Sequence, residues 1–285
     1  MFPPRGDDMN ALKAHRRKMA PLWPLDMVVD EAIAFIQEHE PPEGYFVGFS
    51  GGKDSIVTLA LVREAGVKHQ AFYSATGIDP PEIVRFIQRE YPEVIWLRPK
   101  MTFWKGIRKN APPLRTARWC CNVLKKNPAS PARLRSLFGF ELRHRIMGIR
   151  AEESFKRASR AKIDTFDGQT VYKPIFRWLE YHVWDFIESR GLAYPSLYDD
   201  GFGRIGCVVC PFLCGSPAKL RRSRERWPAM YRVFERVVAD WHENHRTAAA
   251  REKYPAQTAE EYLEAYYKDQ PMCASSKPEP RLIWN

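Results

Sequence analysis

Residues 45–62 of the chain have the sequence YFVGFSGGKDSIVTLALV, in which a glycine-rich turn separates two apolar runs. This order predicts a β-strand, a tight turn and a helix. Such a turn exposes backbone N–H groups at the positive end of the helix dipole, where anions bind. The glycines allow close approach of the backbone, the lysine adds positive charge and the serines add hydroxyl donors. We therefore expect a phosphate site formed by Ser50, Gly51, Gly52, Lys53, Asp54 and Ser55.

Two common phosphate-binding loops are excluded at this turn. A Walker A loop has a glycine five positions before its Gly-Lys pair, and that position is Val47. The Gly-x-Gly-x-x-Gly dinucleotide pattern is also absent from the turn. A purely structural turn between two core elements is the alternative to a phosphate site.

The Ser-Gly-Gly-x-Asp-Ser pattern resembles the PP-loop of the adenine-nucleotide α-hydrolases, which include the N-type ATP pyrophosphatases and the phosphoadenosine phosphosulfate (PAPS) reductases. The resemblance covers most of residues 27–215. It implies that the loop holds pyrophosphate, that ATP with Mg²⁺ is cleaved between its α and β phosphates, and that Lys53 and Asp54 are catalytic. We expect both side chains to lie on a solvated turn outside the core.

The composition is typical of a globular protein, with 45% hydrophobic and 28% charged residues among 285. No apolar stretch is long enough to span a bilayer, and no cleavable signal is visible at Met1-Phe2-Pro3-Pro4. We therefore expect a cytoplasmic protein that has no membrane partner.

The chain is strongly basic, with 45 Lys and Arg against 34 Asp and Glu and a net charge of +11. The excess lies in dense clusters, which favours a polyanionic partner such as DNA or tRNA. A solvated basic surface beside a nucleotide pocket is the alternative. The clusters are Arg115, Arg118, Lys125 and Lys126; Arg133, Arg135, Arg143 and Arg145; Arg150, Lys156, Arg157, Arg160 and Lys162; and Lys219, Arg221, Arg222, Arg224 and Arg226.

Beyond the PP-loop, the sequence predicts an α/β fold with a helical appendage. Short apolar runs alternate with helical segments, which is typical of a mainly parallel sheet with helices on both faces. Asp26 is expected to cap the first helix. Further strands are predicted at 69–73, 94–97 and 145–148, and helices at 80–91, 179–190, 217–244 and 259–268. The predicted parts are a basic flexible N-terminus (1–24), a PP-loop nucleotide-binding domain (25–175) and a helical appendage with a cysteine-rich loop (176–285).

A second candidate segment follows the strand predicted at 145–148. Ligands of parallel sheets bind beyond the carboxyl ends of the strands, so the turn after this strand is well placed for one. Residues 148–154 resemble the Gly-hydrophobic-Arg-x-x-x-Ser segment of the family, which implies contact with the anionic end of the nucleotide. A charged surface loop is the alternative. The residues implicated are Gly148, Arg150, Ser154 and Arg157, with Arg150 as a catalytic residue.

Thr76 and Gly77 follow another predicted strand end. Their segment resembles the Thr-Gly-x-x-x-x-Glu stretch of the family, which implies that it lines the adenosine pocket. A helix-capping turn is the alternative for these two residues.

Five of the six cysteines fall in two groups, Cys120-Cys121 and Cys207-x-x-Cys210 with the trailing Cys214. Neighbouring cysteines rarely satisfy disulfide geometry, and the cytosol disfavours disulfides. The spacing is therefore typical of metal ligands, and zinc and iron–sulfur both fit the residues alone.

The cysteine pattern also resembles that of two related enzyme groups. Adenosine phosphosulfate (APS) reductases combine a Cys-Cys doublet with a later Cys-x-x-Cys to hold a [4Fe–4S] cluster, and the ATP pyrophosphatases of DNA phosphorothioation likewise have four cluster cysteines. The resemblance implies a [4Fe–4S] cluster, with Cys214 as an alternative to Cys120. The implied ligands are Cys120, Cys121, Cys207 and Cys210.

The reaction can be one of several within this superfamily. A sulfonucleotide reductase acts on APS or PAPS, releases sulfite and uses a C-terminal thiolate in a Glu-Cys-Gly-x-His segment. Here Cys273 is followed by Ala274 and Ser275 instead. We therefore expect an ATP pyrophosphatase that adenylates nucleic acid for phosphorothioation or thiolation, with sulfur from a donor such as a cysteine desulfurase. The reductase is the first alternative, and a non-catalytic iron–sulfur sensor or scaffold is the second.

Overall fold

The first strand, β1 (Tyr45–Phe49), lies in the centre of the sheet, where the alternation of its side chains covers both faces. On one face, the hydroxyl of Tyr45 donates to the carbonyl of Ile36 in the helix Leu25–Glu38. On the other face, Phe46 stacks on Phe72 with ring centroids 4.5 Å apart, in a core cluster that includes Leu134 of the helix Pro131–Phe138. Helices therefore cover both faces, as predicted.

This structure is a computed structural model that describes residues 23–166, 168–253 and 256–270. The strands that follow β1 are β2 (His69–Ser74), β3 (Ile95–Leu97), β4 (His144–Met147), β5 (Ile163–Phe166) and β6 (Gln169–Tyr172). The sheet of the described residues has the strand order β3-β2-β1-β4-β6-β5. All neighbouring strands are parallel except β5 and β6, which form an antiparallel hairpin that the sequence analysis did not predict.

The chain forms two compact units that are interleaved in sequence. The first, unit 1, contains the whole sheet and comprises the described residues up to Ser74, Pro81–Leu97 and Ala129–Ile205. The second, unit 2, comprises Ala75–Pro80, Arg98–Pro128 and the described residues from Gly206 onward. The predicted division at residues 175 and 176 stays a prediction, and the predicted flexible segment 1–24 lies almost entirely outside the described residues.

The helices of unit 1 surround the PP-loop segment. The helix Lys53–Glu64 follows the glycine turn and packs against β1, β4 and the helices Leu25–Glu38 and Glu180–Ser189. The first helix begins at Leu25 after Pro24, so Asp26 lies in its first turn and the prediction that it caps the helix is wrong. Proline at the cap has no side-chain acceptor, whereas Asp26 still faces the positive end of the dipole. The other helices of unit 1 are Pro81–Glu90, Ala151–Glu153 (3₁₀), Phe155–Ala158 and Ser196–Tyr198 (3₁₀).

Unit 2 is helical in its described part and has its own apolar core. Phe103, Phe234, Trp241 and Tyr262 are fully buried in this core, and Cys120 and Cys214 also belong to it. The helix predicted at 217–244 is interrupted at Trp227, because Pro228 restricts the preceding residue and cannot donate to a continuing helix. The α-helices are Phe103–Asn110, Trp119–Cys121, Pro217–Arg226, Pro228–Asp240, Ala248–Lys253 and Ala259–Tyr267, with π-helical turns at Asn122–Lys126 and Trp241–His245 and a 3₁₀ turn at Pro211–Gly215.

Across the described ranges, every helix is too short or too polar to cross a membrane.

Candidate functional site

The glycine turn after β1 has the backbone geometry that the PP-loop pattern predicts. Gly51 has a φ of +70°, a conformation that side chains disfavour, and a Cβ there would lie 3.0 Å from Ile87. Gly52 is the N-cap of the helix that follows. The hydroxyl of Ser55 donates to the carbonyl of Gly52 at 2.8 Å and lies 3.1 Å from the hydroxyl of Ser50. The turn is therefore held by its own serines.

Lys53 is the first residue of the helix and is only 4% exposed, so the prediction that it lies on a solvated turn is wrong. Its ammonium donates to the carbonyl of Gly203 at 3.3 Å and lies 3.5 Å from a carboxylate oxygen of Asp54 and 3.9 Å from Glu180. The ring of Tyr198 lies beneath the same ammonium, 5.3 Å away. Burial of this charge is offset by those partners.

Tyr198 also accepts a hydrogen bond from the backbone of the turn. Its hydroxyl accepts a hydrogen bond from the Lys53 backbone N–H at 2.9 Å. Burial raises the pKa of this phenol, so it stays protonated and keeps a hydrogen that it can donate. The sequence analysis did not predict this contact, because Tyr198 lies 145 positions further along the chain.

Arg150 connects the segment after β4 to the PP-loop. Its guanidinium is 4% exposed, and its Nε lies 2.5 Å from Asp54. Asp54 therefore bridges Lys53 and Arg150, and Glu152 is a further partner of Arg150. Gly148 makes this proximity possible, because a Cβ there would lie 2.6 Å from the Asp54 carbonyl.

Ser154 and Arg157 lie further along the same segment. The hydroxyl of Ser154 accepts from the Arg157 backbone N–H and caps a short helix, while the Arg157 guanidinium pairs with Glu153. Burial lowers the pKa of Arg157, and the nearby positive charge of Arg204 lowers it further, so the two guanidinium groups lie close enough to repel each other. Arg204 is a candidate anion-binding residue that the sequence analysis missed.

Thr76 and Gly77 belong to unit 2 and form a capped turn. The buried hydroxyl of Thr76 donates to Asp79 at 2.8 Å, and the Thr76 backbone N–H donates to the same carboxylate at 3.0 Å. Gly77 has a φ of +76°. The capping alternative therefore describes the local geometry, and adenosine binding at this turn stays a prediction.

The cysteines that were predicted to bind a metal all belong to unit 2 and are free thiols. Cys120 and Cys121 share a hydrogen bond, which raises the pKa of the Cys120 thiol and lowers that of Cys121. Cys120 also interacts electrostatically with Cys207 and Cys210. Cys214 is buried and, of the other cysteines, interacts with Cys210.

Charged side chains adjoin the thiols. The thiol of Cys207 lies 3.8 Å from Asp79, and Lys125 hydrogen-bonds to the same sulfur. Burial of the Lys125 ammonium lowers its pKa, but the neighbouring Cys207 and Asp79 charges raise the pKa by more. Because Lys125 as a residue is exposed, solvent screens this effect. Arg118 hydrogen-bonds to Cys121 and stacks 4.2 Å above the ring of Phe212.

Thiols are donors that both zinc and iron–sulfur clusters use, and a bound metal group at these cysteines stays a prediction. In the described ranges, no three His, Cys, Asp or Glu side chains lie close enough together for one metal ion. A multi-iron cluster spreads its thiolate ligands over several metal atoms, and Cys₄ is a common ligand set for such clusters. The four thiols of Cys120, Cys121, Cys207 and Cys210 supply these donors with lysine and arginine beside them to offset thiolate charge.

The two sets of predicted residues are thus divided between the units. Unit 1 brings together Ser50–Ser55, Gly148, Arg150, Ser154 and Arg157, and unit 2 contains Thr76, Gly77 and the cysteines. Their catalytic and binding roles stay predictions. Tyr198, Glu180, Asp79 and Arg204 were missed by the sequence analysis, because each is far in sequence from its partner or lies in a turn with no chemical motif of its own.

Comparison with known proteins identifies the family of this fold and site. The model of the phosphoadenosine phosphosulfate reductase domain matches residues 44–213. The chain therefore belongs to the phosphoadenosine phosphosulfate reductase domain family, and the resemblance seen in the PP-loop sequence is confirmed.

Individual relatives show how far the similarity extends. An uncharacterized protein of Methanocaldococcus jannaschii is 30% identical over 234 residues, which are 78% of this chain and 47% of that protein. The chain thus spans about half the length of this relative. The phosphoadenosine 5'-phosphosulfate reductase of Gloeobacter violaceus is 27% identical over 75% of this chain and 87% of its own length. Among solved structures, the PAPS reductase of Candida auris in a phosphate complex is 16% identical, with a TM-score of 0.46. The alignment covers 66% of this chain and 97% of the reductase chain.

Proposed function

We propose that this protein is a PP-loop ATP pyrophosphatase that adenylates an acceptor on nucleic acid for sulfur incorporation. The observation that supports this most directly is the Asp54 bridge between Lys53 and Arg150 at the start of the helix after the glycine turn. Two nearly buried cations at the N-terminus of a helix favour a polyphosphate, and an adjacent carboxylate favours its Mg²⁺.

Binding of ATP would exchange the partners of these charges. In this proposal the β and γ phosphates take the ammonium of Lys53 and the guanidinium of Arg150, and Asp54 is released to hold Mg²⁺. Because the cations and the carboxylate already lie within hydrogen-bond distance, little reorganisation is needed when the charge of the leaving pyrophosphate develops. Tyr198 would keep the first turn of the helix in place and donate its phenolic hydrogen to a phosphate oxygen.

The chemistry follows as two displacements. An acceptor oxygen attacks the α phosphorus of ATP, its bond to the β-phosphate oxygen breaks, and pyrophosphate leaves with the electron pair. The terminal sulfur of a persulfide donor, such as that of a cysteine desulfurase, then bonds to the activated atom and AMP leaves. A thiol reductant finally cleaves the remaining S–S bond and releases the donor cysteine.

A [4Fe–4S] cluster is part of the proposal, held by Cys120, Cys121, Cys207 and Cys210. The mutual interactions of Cys120 with the other three thiols support this set over one in which Cys214 replaces Cys120. When bound, such a cluster supplies redox-active iron and positive charge beside the thiolates. Lys125 and Arg118 would offset the negative charge of those thiolates.

A sulfonucleotide reductase that releases sulfite from APS or PAPS is the second candidate. It is favoured by the Gloeobacter violaceus reductase, of which this chain covers 87%. It is disfavoured by the sequence around Cys273, which lacks the glycine and histidine of the reductase segment. This cysteine lies outside the described residues.

One experiment separates the two candidates. The full chain, prepared anaerobically, is offered ATP, APS or PAPS in parallel, with thioredoxin as reductant and with or without DNA or tRNA. We expect pyrophosphate from ATP, stimulated by nucleic acid, with the AMP group either on the nucleic acid or released to water, and no sulfite from the sulfonucleotides. Thioredoxin-dependent sulfite that disappears in Cys273→Ser would replace the proposed function with the reductase.

A further inference from the structure

The segment from Ser154 to Lys162 combines an exposed aromatic ring with positive charge. Phe155 is 81% exposed, more than any other large hydrophobic residue in the described ranges. Its neighbours in the segment include four cations and no acid: Lys156, Arg157, Arg160 and Lys162. A single exposed ring is common on protein surfaces, and what distinguishes this one is the cluster of positive charge in the same segment.

The segment lies beside the proposed nucleotide site within unit 1. It follows β4 and Gly148, and Arg150, four positions before Ser154, is bonded to the PP-loop carboxylate of Asp54. Arg157, two positions after Phe155, is close enough to Asp54 and Arg204 for their charges to affect its pKa. A ligand on Phe155 would therefore be a neighbour of the atoms bound at the PP-loop.

The charges of the segment are only partly neutralised. Arg157 pairs with Glu153, Arg160 with Asp164 and Lys162 with Glu31. The side chains of Lys156 and Arg204 have no hydrogen-bonding or ion-pair partner in the part of the chain that the structure describes. Lys156 follows Phe155 directly and Arg204 lies near Arg157, so unpaired positive charge in and beside this segment, together with the exposed ring, favours a ligand that is both anionic and aromatic.

We infer that Phe155 is a stacking platform for an unpaired base of a single-stranded nucleic acid, whose phosphates lie on Lys156, Arg160 and Arg204. This inference rests on the proposed function and names the form of its acceptor. Aromatic side chains that stack bases, combined with cations that follow the backbone, are the usual means by which proteins bind single strands. In a duplex the base faces are already stacked and cannot reach a protruding phenylalanine, so a paired strand does not fit the ring.

An acidic protein is the competing ligand for this basic segment, and the same experiment distinguishes it from a nucleic acid. Binding of a fluorescent oligonucleotide of about 12 nucleotides, a length that spans such sites, is followed by anisotropy with the full chain. The strand is presented alone and as a duplex of the same sequence, over a range of salt concentrations. ATP is omitted, so that binding is measured independently of the proposed cleavage reaction. A failure of strand binding is then distinguishable from a failure of ATP cleavage.

Phe155→Ala should weaken single-strand binding about fivefold or more, the effect of one lost base stack, and Phe155→Trp should restore it. The matched control is Phe140→Ala, since Phe140 is also exposed, at 40%. Phe140 comes before the amino-terminal end of β4, whereas Phe155 comes after its carboxyl end. It should leave binding unchanged.

The charge test uses Lys156→Gln combined with Arg204→Gln. Two lost phosphate contacts should reduce the slope of log affinity against log salt by about 1.4 for a single strand. Lys68→Gln, which removes an exposed charge just before β2, should leave the slope unchanged. The inference is overturned if the oligonucleotide does not bind, if the duplex binds as tightly as the single strand, or if Phe155→Ala and Phe140→Ala have equal affinities.

Discussion

The PP-loop region of unit 1 and the cysteine region of unit 2 differ in how their chemistry is assembled. In the PP-loop region, one six-residue turn and one arginine after a strand are joined by charge pairs, with Asp54 shared by Lys53 and Arg150. In the cysteine region, thiols from segments almost ninety positions apart interact with one another, yet no three ligating side chains in the described ranges suit a single ion.

The difference has a physical cause. Backbone amides and paired side chains can be held in place by hydrogen bonds before a nucleotide arrives. Thiolates that share a cluster repel one another without it, so their arrangement depends on the group they bind. We therefore expect substitutions in the PP-loop region to change catalysis with the fold intact, and substitutions in the cysteine region to change cofactor content and stability together.

The largest effect should follow from loss of cluster ligands. Protein purified anaerobically should be brown, with about four iron and four sulfide per chain, as for a single [4Fe–4S] cluster. Cys207→Ser and Cys210→Ser should each abolish the colour, because each removes one of four thiolate ligands. Iron and sulfide analysis with visible absorption measures this, and colourless protein with stoichiometric zinc would contradict it.

A comparison of two further cysteine variants sharpens the ligand assignment. The thiols Cys121, Cys207 and Cys210 all raise the pKa of Cys120, whereas burial and Asp269 raise the pKa of Cys214 more than Cys210 does. Cys120→Ser should therefore lose the iron, and Cys214→Ser should keep it. The opposite pattern would assign Cys214 as the fourth ligand.

An intermediate effect is expected on nucleic-acid binding by the basic helix Pro217–Arg226 of unit 2. Lys219 and Arg221 are exposed and have no ion-pair partner in the described ranges, whereas Arg224 pairs with Glu235 and stacks 4.4 Å from the Tyr267 ring. Lys219→Gln with Arg221→Gln should reduce the salt slope of single-strand binding by about 1.4.

Basal ATP cleavage should be unchanged in this double variant, because neither residue belongs to the PP-loop region. Arg224→Gln is the comparison variant and should instead lower thermal stability, since its guanidinium packs on a buried aromatic cluster. An unchanged salt slope in the double variant would remove this helix from the nucleic-acid surface.

The smallest effect concerns the pH dependence of folding in unit 1. His182 is fully buried, with Nδ1 accepting from the Leu179 N–H at 3.0 Å and Nε2 placed to donate to the Trp23 carbonyl at 3.2 Å. Burial lowers its pKa below the ordinary 6.5, outweighing the Trp23 carbonyl and the Asp185 and Glu152 charges that raise it. The unfolded chain then binds more protons just below pH 6.5.

Stability should accordingly be full above pH 6.5 and fall as the pH drops through the lowered pKa, at up to about 1.4 kcal/mol per pH unit. Denaturant unfolding of the wild type and of His182→Asn between pH 7.5 and about pH 5 measures this, because asparagine can accept from Leu179 but does not titrate. Equal pH dependence of the two proteins would show that His182 is not the responsible group.

The sequence predicted those parts of the fold that depend on contiguous residues, and missed others. The strand at Tyr45–Phe49 and the glycine turn were predicted because their signals are contiguous and depend on local backbone preferences. The β5–β6 hairpin was missed, since its strands are short and one of them has no apolar alternation. The break at Trp227 was missed because helical periodicity continues across Pro228.

The candidate site was predicted only where a motif named it. The burial of Lys53 depends on Tyr198, Glu180 and Gly203, which come from segments more than a hundred residues away. No local pattern encodes such contacts. In contrast, the set of Cys120, Cys121, Cys207 and Cys210 was implied by the resemblance of the cysteine pattern to that of the APS reductases, and its role as a ligand set stays a prediction.

Analysis of the labelled products shows whether the PP-loop directs cleavage of ATP between its α and β phosphates. ATP labelled at the α phosphate is incubated with Mg²⁺, with and without single-stranded nucleic acid, and labelled AMP, free or attached to the nucleic acid, is separated from labelled ADP. Lys53→Ala is the informative variant, since Asp54 keeps Arg150 as its partner, whereas Asp54→Ala leaves two nearly buried cations without their shared carboxylate. Lys68→Ala is the matched control.

We expect Lys68→Ala to form as much AMP and pyrophosphate as the wild type does. Lys53→Ala should retain the circular dichroism spectrum of the wild type and form neither product. Labelled ADP with inorganic phosphate from the wild type, or undiminished AMP formation by Lys53→Ala, would contradict the account.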